Sequence, residues 1–103
     1  MLAQLVENLG AGPTHEICRL FLENATRDVH AVGEALEAGD GERAARSAHR
    51  LKSASGFLGA TGLVALCAEV EAGAASQSIG HRLAGELEQT ATALTLSVGR
   101  LTR

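Results

Sequence analysis

Apolar residues in this chain return every three or four positions, and most of them are small. From about Thr14 to Ala38, the residues Ile17, Cys18, Phe21, Leu22, Ala25, Val29, Val32 and Leu36 form one stripe when successive residues are turned by about 100°. The same spacing recurs in three later segments, which excludes the two-residue alternation of a half-buried strand. Aromatic residues make up 2% of the sequence, Phe21 and Phe57, with no Trp or Tyr. A core of Leu, Val and Ala fills little volume, so its helices must lie close together. One proline and abundant Ala, Leu, Glu and Arg agree with an all-α chain.

Punctuation divides the pattern. Gly10, Gly12 and Pro13 separate a short first helix over about 2–9 from the long helix. Gly39, Asp40 and Gly41 end the long helix, with Gly39 as its C-terminal cap and Asp40 as the next N-cap. A helix over about 41–58 carries Ala44, Ala48, Leu51, Ser55 and Leu58 on its inner face. The segment 59–62 turns the chain, with Thr61 as a candidate cap. The next helix, about 62–75, places Leu63, Leu66, Cys67, Val70 and Ala74 on one side, and a polar loop follows. The last helix, about 79–101, presents Ile79, Leu83, Leu87, Thr90, Leu94, Val98 and Leu101. Four amphipathic helices joined by short loops predict an antiparallel up-down four-helix bundle, with the short extra N-terminal helix across one end. The 103 residues suit a single domain over 1–103, large enough to bury about two-thirds of its unfolded surface.

Several functional classes fall away. The net charge is −3, and no run of Lys and Arg supplies the basic footprint of a nucleic-acid binder. The apolar runs are short and interrupted by charge, so no membrane span is expected. The segment MLAQLVENLG lacks the basic start and long apolar stretch of a signal peptide, so a cytoplasmic location is expected. Cys18 and Cys67 both fall on apolar stripes and read as buried free thiols. His15, His30 and His81 are scattered, and no His-x3-His or Cys-x2-Cys spacing exists, so no metal site is expected. There is no phosphate-cradling glycine loop.

The stretch SAHRLKSASGFLGA, residues 47–60, is the anomaly. Ser and Gly in mid-helix cost stability, about 1 kcal/mol for Gly against Ala. With the Ala48–Leu51–Ser55–Leu58 stripe turned inward, His49, Ser53 and Gly56 point outward, and Lys52 stands on the adjoining ridge. Lys52 follows His49 by one turn, within reach of a group attached to the imidazole. Ser53 and Gly56 leave bare ground beside it, where another protein surface can approach. A neutral imidazole is nucleophilic near neutral pH. Attack through one ring nitrogen requires that the other hold the proton and be fixed by an acceptor. An arriving phosphoryl group needs a cation, and Lys52 can supply one. The bland readings are a solvated histidine, an ordinary surface lysine, and a Gly56 that serves close helix packing. The wheel leaves Phe57 open between rim contact and core.

The run 48–60, AHRLKSASGFLGA, resembles the signature of histidine-containing phosphotransfer (HPt) domains, as do LVALCAEVE at 63–71, LFL at 20–22 and LEAGD at 36–40. The resemblance covers roughly residues 14–75. It implies that His49 accepts a phosphoryl group, through Nε2, from the aspartate of a receiver domain and passes it to another receiver. It further implies that Lys52 stabilises the phosphoryl group and that Glu71 accepts a hydrogen bond from the other ring nitrogen. Arg50, Ser53, Gly56 and Phe57 are then the partner-binding residues. Ser53 departs from the glycine usual at that position, which bears on which receivers fit. Expected partners are response-regulator receiver domains or a hybrid sensor histidine kinase, engaged by a monomer. No cofactor is expected in this chain, Mg²⁺ belonging to the partner receiver, and no ATP-dependent kinase activity of its own.

Two other readings compete. The dimerisation and phosphoacceptor region of a histidine kinase is also helical, but there an acidic residue follows the histidine and a proline lies a few positions on. Here Arg50 follows and no proline appears. The other is a bundle that docks a receiver without exchanging phosphate, against which the intact His49 and Lys52 argue.

Overall fold

In the computed structural model, which describes residues 7, 8, 10–73 and 78–101, four helices account for most of the chain. They are α1 (Ala11–Glu37), α2 (Gly41–Phe57), α3 (Thr61–Glu71) and α4 (Ile79–Leu101). Strands are absent among the described residues. The short helix expected over about 2–9 lies outside the described residues except at Glu7 and Asn8, which are helical. Ala74 and most of the expected polar loop also lie outside them.

Helix α1 starts three residues earlier than the Gly-Pro punctuation predicts. Gly10 is its N-cap with φ 89°, and Pro13 sits inside the first turn. That position is tolerated because the first backbone N–H groups of a helix have no intrahelical partner to lose. Thr14, fully buried, donates its hydroxyl to the Gly10 carbonyl at 2.8 Å, which fastens the first turn. The other end is closed by Gly39 at φ 73°. The Gly39 N–H donates to the Leu36 carbonyl at 3.1 Å and the Asp40 N–H to the Ala35 carbonyl at 2.8 Å, the paired bonds of a Schellman cap. Asp40 then accepts the Arg43 N–H on its side chain at 3.0 Å, so one residue closes α1 and opens α2.

Helix α2 ends by the same device one helix later. Gly59 at φ 74° donates to Gly56, and Ala60 donates to Ser55. Thr61 does not cap α3; the N-cap is Ala60, which makes no side-chain bond. Instead the Glu86 carboxylate of α4 lies against Gly62, where any side chain would collide with it. A negative group over a helix N-terminus is favourable. Helix α3 stops at Glu71, four residues short of the expectation, because Gly73 at φ 74° takes the C-terminal cap and donates to Val70.

Connections as short as Ala38–Asp40 and Leu58–Ala60 force neighbouring helices antiparallel. α1 packs on α2 and α4, α3 packs on α2 and α4, and the diagonal pairs do not approach closely. The result is an all-α bundle of 45 × 19 × 18 Å, its long axis set by α1, whose 27 residues reach about 40 Å. Ala25, Ala35, Ala44 and Ala48 are buried among Phe21, Val32, Leu51, Leu63, Leu66 and Leu83. Alanines at the contacts allow the close approach that a core poor in aromatics requires. Cys18 and Cys67 are buried free thiols. Leu87 and Thr90 of the last stripe are partly buried, and Leu94 is buried. The side chains of Val98 and Leu101 lie outside the described residues.

One core position is polar without compensation. Ser55 is fully buried and its hydroxyl has no hydrogen-bond partner among the described residues. An unmet buried hydroxyl costs about 1–3 kcal/mol, and Ala is the better helix former. The expected outcome for Ser55→Ala is a gain of about 1 kcal/mol in urea unfolding and a melting temperature higher by roughly 4–8 °C. A loss of stability would show that the hydroxyl is satisfied.

Candidate functional site

The outer face of α2 carries His49, and the end of α3 supplies what faces it. His49 is exposed, with 65% of its side-chain surface accessible, because its neighbours Ala48 and Leu51 occupy the inward positions of the helix. The Glu71 carboxylate uses its two oxygens separately. Oε2 lies 3.1 Å from His49 Nδ1, and Oε1 lies 2.7 Å from Lys52 Nζ. Lys52 is the sole lysine of the chain. Its partly covered ammonium and the exposed ring therefore meet on one carboxylate.

Local structure explains the geometry. Lys52 follows His49 by three residues, so both project from one side of α2 towards α3. Glu71 is the last helical residue of α3, fixed there by the Gly73 cap. A carboxylate in the last turn sits at the negative end of the helix dipole, which disfavours it, and the last turn of α3 has no basic residue of its own. Lys52 supplies the missing cation from the neighbouring helix. Its hydrogen bond is the main cause that holds the Glu71 carboxyl below its usual 4.5, with the His49 bond adding in the same direction. The carboxylate is thus ionised throughout the neutral range. As an acceptor 3.1 Å from Nδ1, it favours the tautomer with the proton there. Among the described residues Nε2 has no protein partner, so that nitrogen is the one open to solvent and to an approaching group.

The residues around the ring fall into two groups. Ser53 and Gly56 are exposed. The Ser53 hydroxyl folds back to donate to the His49 carbonyl at 3.1 Å, so its polar group is satisfied within its own helix. A Cβ on Gly56 would meet nothing within 4 Å, which removes close helix packing as the reason for a glycine there. Phe57, left open between rim and core by the helical wheel, is 55% exposed. Arg50 is also exposed, but it is tied. Its guanidinium reaches Asp28 of α1 at 3.3 Å and the Ser47 hydroxyl at 3.3 Å. Asp28, with 16% side-chain exposure, is a contact that the sequence pattern did not signal, since it comes from another helix.

Beneath the site, Cys67 lies one helical turn before Glu71. Burial, reinforced by the Glu71 charge, pushes its thiol up to about 11, which disfavours the nucleophilic thiolate at neutral pH. Among the described residues no three His, Cys, Asp or Glu side chains converge to hold a metal ion, and no helix is long and apolar enough to cross a membrane. The cations are unevenly placed: Arg43, Arg46, Arg50 and Lys52 all lie on α2, against one acid there, Glu42. Arg46 escaped the sequence reading although it stands one turn before His49, the mirror of Lys52.

The sign of the pH effect follows from the lowered carboxyl. A depressed pKa means that the contribution of Glu71 is in place above its unfolded value and is lost as pH falls through the folded one. A carbon-detected NMR titration of the Glu71 carboxyl is expected to give a midpoint below 4.5, moving upward in Lys52→Ala. A midpoint at or above 4.5 in the native protein would contradict the pairing.

The family model described as Hpt domain matches residues 16–97, which takes in α2, α3 and the greater part of α1 and α4. No curated protein and no solved structure matches the chain. The family implies histidine phosphotransfer in phosphorelays, with receiver domains and kinases as general partners. From the extent of that match, the chain belongs to the Hpt domain family.

Proposed function

We propose that this protein is a phosphorelay intermediate in which His49 takes a phosphoryl group from a receiver-domain aspartate and delivers it to the aspartate of another receiver. The observation that carries the reading is the Glu71 carboxylate at 3.1 Å from Nδ1, with the opposite nitrogen left open on an exposed ring. In the forward step the Nε2 lone pair forms a bond to phosphorus while the bond from phosphorus to the aspartyl oxygen breaks. The electron pair leaves with the aspartate, restored as a carboxylate. The ring keeps its Nδ1 proton and gains positive charge, which the Glu71 carboxylate offsets. Delivery to the second receiver is the reverse of this step on a new carboxylate.

Lys52 has a further role in the proposal. Its ammonium rests on Glu71 until a phosphoryl dianion arrives, then shares its charge with the new oxygens. Since the imidazole stands in solvent, the receiver supplies most of the transfer machinery, including any Mg²⁺. Ser53 and Gly56 provide flat ground for the approach, with Phe57 and Arg50 at its edges. The domain acts as a monomer, on the cytoplasmic side, with no ATP chemistry of its own.

A phosphorylated receiver mixed with the protein is expected to label it through an acid-labile, base-stable linkage, and His49→Gln is expected to abolish the label. Undiminished labelling of that variant, or failure of every receiver from the same cell, would sink the proposal. Binding that persists in His49→Ala with no transfer by the native protein would identify a docking module instead. Lys52→Ala is expected to slow transfer roughly tenfold while moving the melting temperature by less than about 4 °C. A much larger loss in melting would make the lysine structural.

A further inference from the structure

We infer that Arg46 is a second phosphoryl ligand, closing on the oxygens of a phosphoryl group carried at Nε2 of His49 from the side opposite Lys52. The inference rests on the phosphoacceptor role proposed for His49 and adds a residue to it.

Three observations support it. The first is placement. Arg46 precedes His49 by three residues and Lys52 follows it by three, so the two cations stand one helical turn to either side of the ring. Arg46 and His49 line the same shallow depression of about 430 Å³, together with Glu42, Ala45 and Arg50.

The second is availability. The ammonium of Lys52 is held 2.7 Å from Glu71, so much of its charge is already compensated when phosphate arrives. Arg50 is held by Asp28 and Ser47. Among the described residues Arg46 has only an exposed contact with Glu42, at 3.7 Å. Exposed pairs of this kind contribute little, so its guanidinium can leave Glu42 at small cost. It is the cation of the depression least committed elsewhere.

The third is chemistry. Nδ1 is engaged by Glu71 on the α3 side, which leaves Nε2 for attack. A phosphoryl group there carries up to two negative charges on three oxygens, more than one partly neutralised ammonium can balance. A guanidinium presents paired N–H donors that match two such oxygens.

The test uses phosphoramidate, a small phosphoryl donor, on the whole chain with no receiver present. The Nε2 lone pair takes the phosphoryl group, the P–N bond of the reagent breaks, and ammonia leaves with the electron pair and a proton from solution. Arg46→Gln is expected to lower the labelling rate roughly two- to fivefold, the scale of an exposed charge contact. It is also expected to raise the pH midpoint of the phosphohistidine ³¹P resonance, because a nearby cation favours the dianion. Arg46→Lys should restore part of both effects. An unchanged rate and midpoint in Arg46→Gln would overturn the inference. So would a slower rate with an unmoved midpoint, since a merely structural role slows reaction without touching the phosphoryl charge. Native protein that phosphoramidate leaves unlabelled at His49 would overturn it too. Failure of receiver transfer alone, with these small-donor effects intact, would count against the relay reading and leave the Arg46 contact standing.

Discussion

One carboxylate, shared between an imidazole and an ammonium, determines what the exposed face of this bundle can do. Glu71 sits at the end of α3, where the helix dipole opposes its charge, and it is held ionised chiefly by Lys52. Without that ammonium the carboxyl would sit higher and hold the ring less firmly. Without the carboxylate the ring would turn freely about χ2, and its tautomer would be unfixed. The three side chains come from two helices and are mutually dependent: each one's position is specified by its contact with another.

The scaffold matters to the site through where helices stop. Gly39, Gly59 and Gly73 all adopt left-handed φ values and close α1, α2 and α3 in turn. The last of these places Glu71 opposite the middle of α2, and the short turn at Leu58–Ala60 sets the register between the two helices. A helix α3 running on to residue 75 would have buried the carboxylate's backbone in mid-helix and removed the dipole term that Lys52 offsets. Beneath them, the small residues of the core bring α2 close to its neighbours, so that side chains as short as glutamate span the gap.

Much of this was legible in the sequence, for reasons that differ by residue. The apolar stripes of α1, α2 and α4 have the right period over many turns, so the all-α bundle and its inward faces followed directly. His49 lies opposite a clear stripe, and its exposure could be read from that alone. Gly39 and Asp40 are local signals with local causes. The start of α1 was misplaced because Pro13 is a breaker within a helix but harmless in its first turn. The end of α3 was misplaced because Ala72 and Ala74 continue a helical pattern that only the Gly73 backbone interrupts. Thr61 looks like a cap, yet the N-cap is Ala60 without a side-chain bond, and a carboxylate from α4 lies against Gly62 just inside that terminus. The Arg50–Asp28 contact and the fate of the Lys52 charge depend on distances between helices, which no spacing along the chain encodes.

The polar groups that meet around the ring, His49, Lys52 and Glu71, lie in the α2–α3 hairpin, a contiguous stretch joined by one tight turn. α1 and α4 complete the core on its other side, and α1 lends one anchor, Asp28. The three side chains of the candidate site therefore depend on one local stretch of chain. Solvent-facing positions on the two flanking helices are free to drift, provided that the apolar stripes beneath them keep their volume.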